Sequence, residues 1–101
     1  MANKTIWGNV SADRKVSQGS GDFQVTENTP TGVFNVLFDR GSFDDVPAVV
    51  VTVLEPAGAA GHIAAAEMEK LDQTQFQIVI RSTYSQEAAN KPFSFVAIGT
   101  E

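Results

Sequence analysis

The sequence has no cysteine and one histidine, His62, among its 101 residues. Without cysteine the chain can form no disulfide, no thiolate nucleophile and no iron–sulfur or thiolate zinc site. One histidine excludes a metal site of two or three histidines within a single chain. We therefore predict a fold stabilised by packing, with no metal and no cofactor.

Positive charge and long apolar runs are also scarce. Seven basic residues stand against twelve acidic ones, which gives a formal net charge of -5. A surface that binds nucleic acid by counterion release needs the opposite sign. No apolar run approaches the roughly 20 residues of a membrane-spanning helix, and the first residues lack the apolar core of a signal peptide. We expect a soluble chain without nucleic-acid partner, membrane insertion or export signal, as in a cytosolic protein, a phage particle or an excised extracellular domain.

What the sequence does contain is enough apolar surface for one compact unit. Hydrophobic residues make up 43% of the chain and charged residues 19%, which is typical of globular rather than disordered proteins. Chains of this length seldom divide into two buried cores. We predict a single domain over residues 1–101.

The apolar runs are short and are separated by turn-forming residues, which indicates an all-β fold. The segment 33–38 places Phe34, Val36 and Phe38 on one face of a strand. The segment 48–54 is rich in β-branched residues and apolar on both faces, as a buried central strand would be. Further strands are predicted at 5–10, 23–26, 75–81 and 93–98, and the polar stretch 11–22 is predicted to be a loop.

The segment 57–71 is ambiguous. Its alanines and the Glu-Met-Glu-Lys run at 67–70 favour a helix by intrinsic propensity. Apolar residues recur at both helical and strand spacing, so the pattern alone leaves helix and strand open.

Four segments, taken in order, resemble a known family. They are Phe-Asn-Val-Leu-Phe at 34–38, Phe43 before the Val-Pro-Ala-Val-Val-Val run at 46–51, Gln-Phe-Gln at 75–77, and Phe-Ser-Phe-Val-Ala-Ile at 93–98. This order is similar to the H-type lectin domain of snail agglutinins and discoidins, over nearly the whole chain. The Thr-Gly-Val-Phe segment at 31–34 and the Pro-x-Val-Val-Val run also look like trimeric β-domains of phage tail fibres and bacterial collagen-like proteins.

The resemblance implies a six-stranded antiparallel β-sandwich that assembles as a homotrimer, with 57–71 as a strand. In the family, sugar is bound between subunits by a Trp-His pair, an arginine and an acidic residue. Those positions fall here on Thr83 and Tyr84, on Ile63 or its neighbour His62, and near Glu27. The tryptophan and the arginine of that set are missing from this chain.

The residues themselves indicate a candidate ligand site after the predicted strand at 75–81. Thr83, Tyr84, Ser85 and Gln86 combine an aromatic face with hydroxyl and amide groups in a loop, and the polar pair Glu27 and Asn28 supplies further hydrogen-bonding groups. With His62, these seven residues form the predicted glycan-binding set. His62 is also interpretable as an ordinary structural histidine.

Three functions follow as hypotheses. The first is a lectin-like module that is multivalent through homo-oligomerisation. The second is a non-enzymatic trimerising domain of a phage fibre or bacterial surface assembly, in which Trp7 and Phe43 are either core residues or contacts between subunits. The third is an enzyme using Tyr84, Glu69 or Asp72 as acid or base. The chain has no Gly-x-Ser-x-Gly elbow, so we predict that it is not an enzyme.

Overall fold

The computed structural model describes residues 3–54, 61–66 and 70–101. Two four-stranded sheets face each other, and all paired strands are antiparallel. The strands are β1 (Asn3–Val10), β2 (Val16–Gly19), β3 (Phe23–Val25), β4 (Val33–Phe38), β5 (Ala48–Val53), β6 (His62–Ala66), β7 (Gln75–Ser82) and β8 (Phe93–Thr100). Sheet A has the order β2-β1-β8-β5, and sheet B has the order β3-β4-β7-β6. The predicted all-β class and sandwich-like architecture are confirmed.

The described residues form eight strands, so the predicted number of six is wrong. One of the additional strands, β2, lies within the stretch 11–22 that the sequence predicted to be a loop. All four of its residues are exposed, so it carries no alternation of apolar and polar side chains. Its backbone pairs with β1, from Gly8 opposite Gly19 to Val10 opposite Val16. A strand with no buried face leaves no signal in hydropathy.

The ambiguous segment contains β6. This strand pairs antiparallel with β7, from His62 opposite Ser82 to Ala66 opposite Ile78. The helix preference of alanine amounts to a few tenths of a kcal/mol per residue, at most about 0.7, and a full ladder with β7 outweighs it. The strand implied by the resemblance is confirmed over 62–66. Residues 57–60 and 67–69 of the segment lie outside the described residues.

The core lies between the two sheets and is built from phenylalanine. All seven phenylalanines of the chain are buried. Their rings meet mostly edge to face, which suits the charge distribution of an aromatic ring; the pairs are Phe23–Phe95, Phe34–Phe93, Phe38–Phe43 and Phe76–Phe95. Phe43 is therefore a core residue, whereas Trp7 is 41% exposed.

Gly8 and Gly19 make room for one of these rings. A Cβ on Gly8 would lie 2.3 Å from Cζ of Phe23, and a Cβ on Gly19 would lie 2.8 Å from Cε1 of the same ring. Because no carbon atoms approach so closely, any side chain at Gly8 would displace Phe23 from its contact with Phe95. The two glycines thus allow β1 and β2 to close over the core.

Lys4 and Asp22 form an ion pair where β1 passes the β2–β3 connection. Lys4 Nζ lies 2.9 Å from Asp22 Oδ2, and the Ser20 hydroxyl donates to Asp22 Oδ1 at 2.5 Å. Burial raises the pKa of Asp22, but the hydrogen bonds from Ser20 and Lys4 outweigh it and hold that pKa below its ordinary value of 3.8. The carboxylate therefore stabilises the fold above about pH 4, and this contribution is lost as the pH falls through the lower, folded-state pKa.

We expect Asp22→Asn to unfold at lower denaturant concentration than the wild type at about pH 7, and the two proteins to converge at about pH 2, because only the wild type loses a carboxylate contribution. Urea titrations of both proteins at the two pH values measure this. An unchanged gap at low pH would show that Asp22 acts through shape rather than charge.

Antiparallel topology brings three connections to one end of the sandwich. These are the β1–β2 connection (11–15), the β3–β4 connection (26–32) and the β7–β8 connection (83–92). We call this the loop end. β1 and β8 meet there at Val10 and Phe93, and they pair along their whole length to Asn3 and Thr100 at the opposite end. All seven predicted ligand residues lie at or beside the loop end.

Candidate functional site

Residues 83–86 form a tight turn at the end of β7. The Ser82 amide donates to the Glu87 carbonyl at 2.9 Å, and the Gln86 amide donates to the Ser82 carbonyl at 3.1 Å. A further bridge joins Arg81 to Ala88. Gln86 has a φ of 66°, a left-handed conformation that closes the turn. The backbone of the turn is thus fixed by hydrogen bonds on both sides.

Tyr84 stands at the tip of this turn, and 91% of it is exposed. Its amide donates to the Ser82 hydroxyl at 3.2 Å. Thr83 anchors the turn to the start of β6, because its hydroxyl donates to the Gly61 carbonyl at 2.9 Å. The turn therefore holds its backbone in place and presents both faces of an aromatic ring to solvent.

His62 adjoins the turn. It is the first residue of β6 and lies opposite Ser82, and its side chain is half-buried. The structure thus brings His62 next to the turn 83–86, although Thr83 follows it by 21 residues in the sequence. The fold places them side by side because β6 and β7 are antiparallel neighbours.

Glu27 and Asn28 lie on the β3–β4 connection, at the same end of sheet B. Both are exposed. Glu27 Oε1 lies 3.6 Å from Lys15 Nζ, and both side chains are 70% exposed, so this pair contributes little to stability. The predicted acidic residue is available at the surface, two strands away from Tyr84.

Arg14 organises the loop end, and the sequence did not point to it. Its guanidinium donates to the Thr29 hydroxyl at 2.8 Å, to the Thr29 carbonyl at 3.0 Å and to the Pro30 carbonyl at 2.9 Å. It also lies 5.0 Å above the centre of the Phe34 ring, within the range of a cation–π contact. Arg14 thereby fixes the β3–β4 connection against the β1–β2 connection. It lies in a polar stretch without periodicity, so no pattern in the sequence distinguishes it from a solvated arginine.

Asn90 joins the remaining connection to this arrangement. Its side-chain oxygen accepts from the Gly32 amide at 2.7 Å and from Arg14 at 3.4 Å. Gly32 has a φ of 79°, and a Cβ there would lie 2.8 Å from the Ala88 side chain and the Ile80 carbonyl. The close approach requires glycine at this position. The loop carrying Tyr84 is therefore packed directly against the connection carrying Glu27 and Asn28.

The surface around these residues is open. Residues 3–54, 61–66 and 70–101 enclose no pocket, and in that part of the chain no three histidine, aspartate or glutamate side chains cluster as a metal site would require. The same residues contain no helix that could cross a membrane. Chemically, the loop end can offer a flat aromatic contact and hydrogen bonds.

The candidate acid–base residues do not share one site. Asp72 precedes β7 and accepts from the Thr74 amide at 2.7 Å and the Gln75 amide at 3.1 Å. The hydrogen bond from the Thr74 hydroxyl, together with those from the two amides, lowers the pKa of Asp72. Tyr84 follows β7, so a strand of eight residues, about 25 Å long, separates the two. Glu69 lies outside the described residues.

A second candidate surface lies on the outer face of sheet A. Trp7, Val96 and Val50 stand side by side across β1, β8 and β5, because Val96 is paired with both of the others. Their exposed fractions are 41%, 38% and 66%. We call these three residues the apolar row. Ile98, 51% exposed, lies next to it between Thr5 and Ala48. Adjacent exposed apolar side chains of this size mark an interaction surface.

No family model, curated protein or solved structure matches this chain. Two surfaces remain from which to infer a function: the turn that carries Tyr84, and the apolar row.

Proposed function

We propose that this protein is a non-enzymatic, lectin-like module that binds glycans at the loop end and is multivalent through homo-oligomerisation. The observation that carries the proposal is the 91% exposure of Tyr84 on a turn fixed by hydrogen bonds. A rigid tyrosine offers a large amphipathic contact area at a small cost in side-chain entropy. A sugar ring needs such a face for its C–H groups and polar partners for its hydroxyls.

Polar partners lie on the same turn and on the β3–β4 connection at the loop end. Gln86 has an amide that both donates and accepts, and Glu27 and Asn28 present oxygen atoms on the neighbouring connection. Since the described surface has no pocket, one site contacts a sugar from one side and binds weakly. Several copies in one assembly raise the apparent affinity by high effective concentration. Two copies already supply this multivalency, and the resemblance to H-type lectins implies three.

A glycan array tests the proposal. We expect the wild type to bind one class of sugar saturably and Tyr84→Ala to bind it at least about tenfold more weakly. Tyr84→Phe keeps the aromatic face and is expected to retain most of the affinity. Leu37→Ala is the matched control, because Leu37 is also exposed but faces outward near the other end of sheet B.

Two results would contradict the glycan site. One is the absence of saturable binding to any sugar. The other is binding that Tyr84→Ala leaves unchanged, which would place the contact elsewhere. Light scattering on the same samples gives the number of copies, so that a loss of avidity through dissociation is not mistaken for a loss of the site.

The apolar row favours a second candidate, a structural domain that assembles copies in a phage fibre or a bacterial surface structure. This function requires self-association and no small ligand. A homo-oligomer that binds nothing on the array would favour it over the lectin function. Phe43 is buried in the core, so its substitution tests folding, and Trp7 is the residue of the predicted pair that probes assembly.

A further inference from the structure

We propose that β5 is a self-association strand: a second copy of this chain adds its own β5 antiparallel to the first, about a two-fold axis at Val50. The two copies of sheet A then form one continuous sheet of eight strands. The inference does not rest on the glycan site. It concerns a different face and has its own test.

The four edge strands of the described sheets differ in how they are protected. Edge strands expose unpaired backbone groups, and proteins usually blunt them by shortness, charge, proline or bulges. β3 has three residues and β2 has four, and the pairing of β2 is interrupted by a register shift between Asn9 and Val10. β6 has five residues, with Ile63 as its one large apolar residue. β5 has six, Ala-Val-Val-Val-Thr-Val, with no charge, proline or glycine. β5 is thus the longest and least protected edge.

Among residues 3–54, 61–66 and 70–101, no strand pairs with β5 on the side away from β8. Val53 lies opposite Phe93, and one residue further the Leu54 amide donates to the Pro92 carbonyl at 2.9 Å. Hydrogen-bonded pairs alternate along an antiparallel ladder. Thr52, Val50 and Ala48 therefore use their backbone groups to bond β8, and the amides and carbonyls of the other three residues point outward; these are Val49, Val51 and Val53.

An axis at Val50 matches the outward groups of Val49 and Val51 to those of the second copy, and Val53 lies beyond the paired residues. This axis places Val49 opposite Val51 of the second copy, so that outward-pointing groups meet in hydrogen-bonded pairs. Val50 then faces Val50 of the second copy in a close, non-hydrogen-bonded pair, and Ala48 faces Thr52. No charged side chain faces another, although each chain carries a net charge of -5. Such neutrality at the contact is what two copies of an acidic protein need.

The same pairing extends the apolar row. The row ends at Val50, which is the most exposed residue of β5 at 66%. Across the axis it continues through Val50, Val96 and Trp7 of the second copy. The two rows become one stripe of six side chains, and the Val50 side chain at the end of each row packs against Val50 of the second copy.

A second copy fits this edge better than a foreign peptide. Domains that capture extended peptides select them with pockets for alternate side chains, and the described surface has none. The five residues that pair in each copy of β5, Ala48 to Thr52, bury less than the roughly 1,200 Å² of a stable interface. We therefore expect a monomer–dimer equilibrium that depends on concentration, with a dissociation constant Kd of about 10 µM or higher.

Sedimentation equilibrium over a range of concentrations tests the pairing, with three variants. Ala48→Lys/Thr52→Lys places lysine opposite lysine at both ends of the contact and is expected to weaken the dimer at least about tenfold. This variant has a net charge of -3 instead of -5, since two lysines are added. General repulsion between chains is therefore weaker and cannot explain a loss of the dimer. Ala48→Lys/Thr52→Glu places lysine opposite glutamate, keeps the net charge at -5, and is expected to restore the dimer.

The third variant, Trp7→Lys, separates strand pairing from face-to-face stacking of the apolar rows. If the dimer formed by stacking of the apolar rows, Trp7→Lys would abolish it. The lysine–lysine and lysine–glutamate variants would then dimerise equally. Strand pairing predicts a marked difference between those two and a smaller effect of Trp7→Lys. Circular dichroism checks that each variant is folded.

Hydrogen exchange on the wild type gives a test without substitutions. The amides of Val49 and Val51 should exchange more slowly in concentrated than in dilute solution, and those of β2 should not change. A monomer at every concentration up to about 1 mM, a trimer in place of the dimer, or equal dissociation of both lysine-containing double variants would overturn the proposal.

Discussion

Replacing Phe76 by alanine is expected to destabilise the protein by about 3–5 kcal/mol. Phe76 lies on β7 and is fully buried. Its ring centre lies 5.1 Å from that of Phe95 on the opposite sheet and 5.7 Å from that of Phe38 on its own. Alanine would leave a cavity between the sheets that neighbouring rings fill poorly, because the strands that carry them are fixed by their ladders.

A loss of this size takes a large share of the roughly 5–15 kcal/mol that stabilises a domain. Urea unfolding followed by circular dichroism measures it, and Leu37→Ala serves as control because Leu37 is 39% exposed on the outer face of the same sheet. We expect the control to lose less than about 1 kcal/mol. A comparable loss in both variants would mean that Phe76 does not form the centre of the core.

Replacing Arg14 by alanine is expected to cost about 2–3 kcal/mol, because hydrogen bonds to a charged group are the strong ones. Its guanidinium bonds two carbonyls and a hydroxyl of the β3–β4 connection, and alanine removes all three bonds, although the Pro30 carbonyl keeps the Val33 amide as a donor. Arg14→Lys keeps the charge but cannot reach several acceptors at once. We expect it to recover less than half of the loss.

The backbone at Arg14 allows a sharper comparison. Its φ of 69° lies in the left-handed region, which costs a residue with a Cβ about 1–2 kcal/mol. Arg14→Gly loses the same hydrogen bonds as Arg14→Ala but relieves this cost, so it should be the more stable of the two. Arg40→Ala, an exposed arginine in the β4–β5 connection, is the control. If Arg14→Ala were as stable as Arg40→Ala, the hydrogen bonds at the loop end would carry no net stability.

Strands with a buried face were predictable from the sequence, and strands without one were not. β4 and β7 alternate apolar and polar residues because one face of each covers the core, and both were found from that alternation. β2 is exposed along its length and was taken for a loop. The segment 48–54 was predicted to be a central strand from its unbroken apolar run, yet β5 lies at the edge of sheet A. An unbroken apolar run also fits an edge strand whose outward-facing side chains no other described residue covers.

The candidate site was predictable in part. Its turn was expected because hydroxyl and amide residues follow a strand. His62 was included through the resemblance, and the pairing of β6 with β7 that brings it to the turn was not predicted. Arg14 and Asn90 could not be found, since their roles depend on connections that meet in space and lie as far as 76 residues apart. Sequence periodicity reports which face of a strand is buried, and it contains no information on which loops meet.

The pairing of β1 with β8 sets an order for folding. These two strands form the centre of sheet A, yet they come from opposite ends of the described chain, with Asn3 opposite Thr100. The hairpins of sheet B, β3 with β4 and β6 with β7, join neighbours in sequence and close short loops first. Without residues 93–100, β1 and β5 have no strand between them in sheet A, and the apolar face of β1 stays uncovered. A chain dominated by such distant contacts folds slowly, and we expect the hairpins of sheet B to form before β8 joins β1.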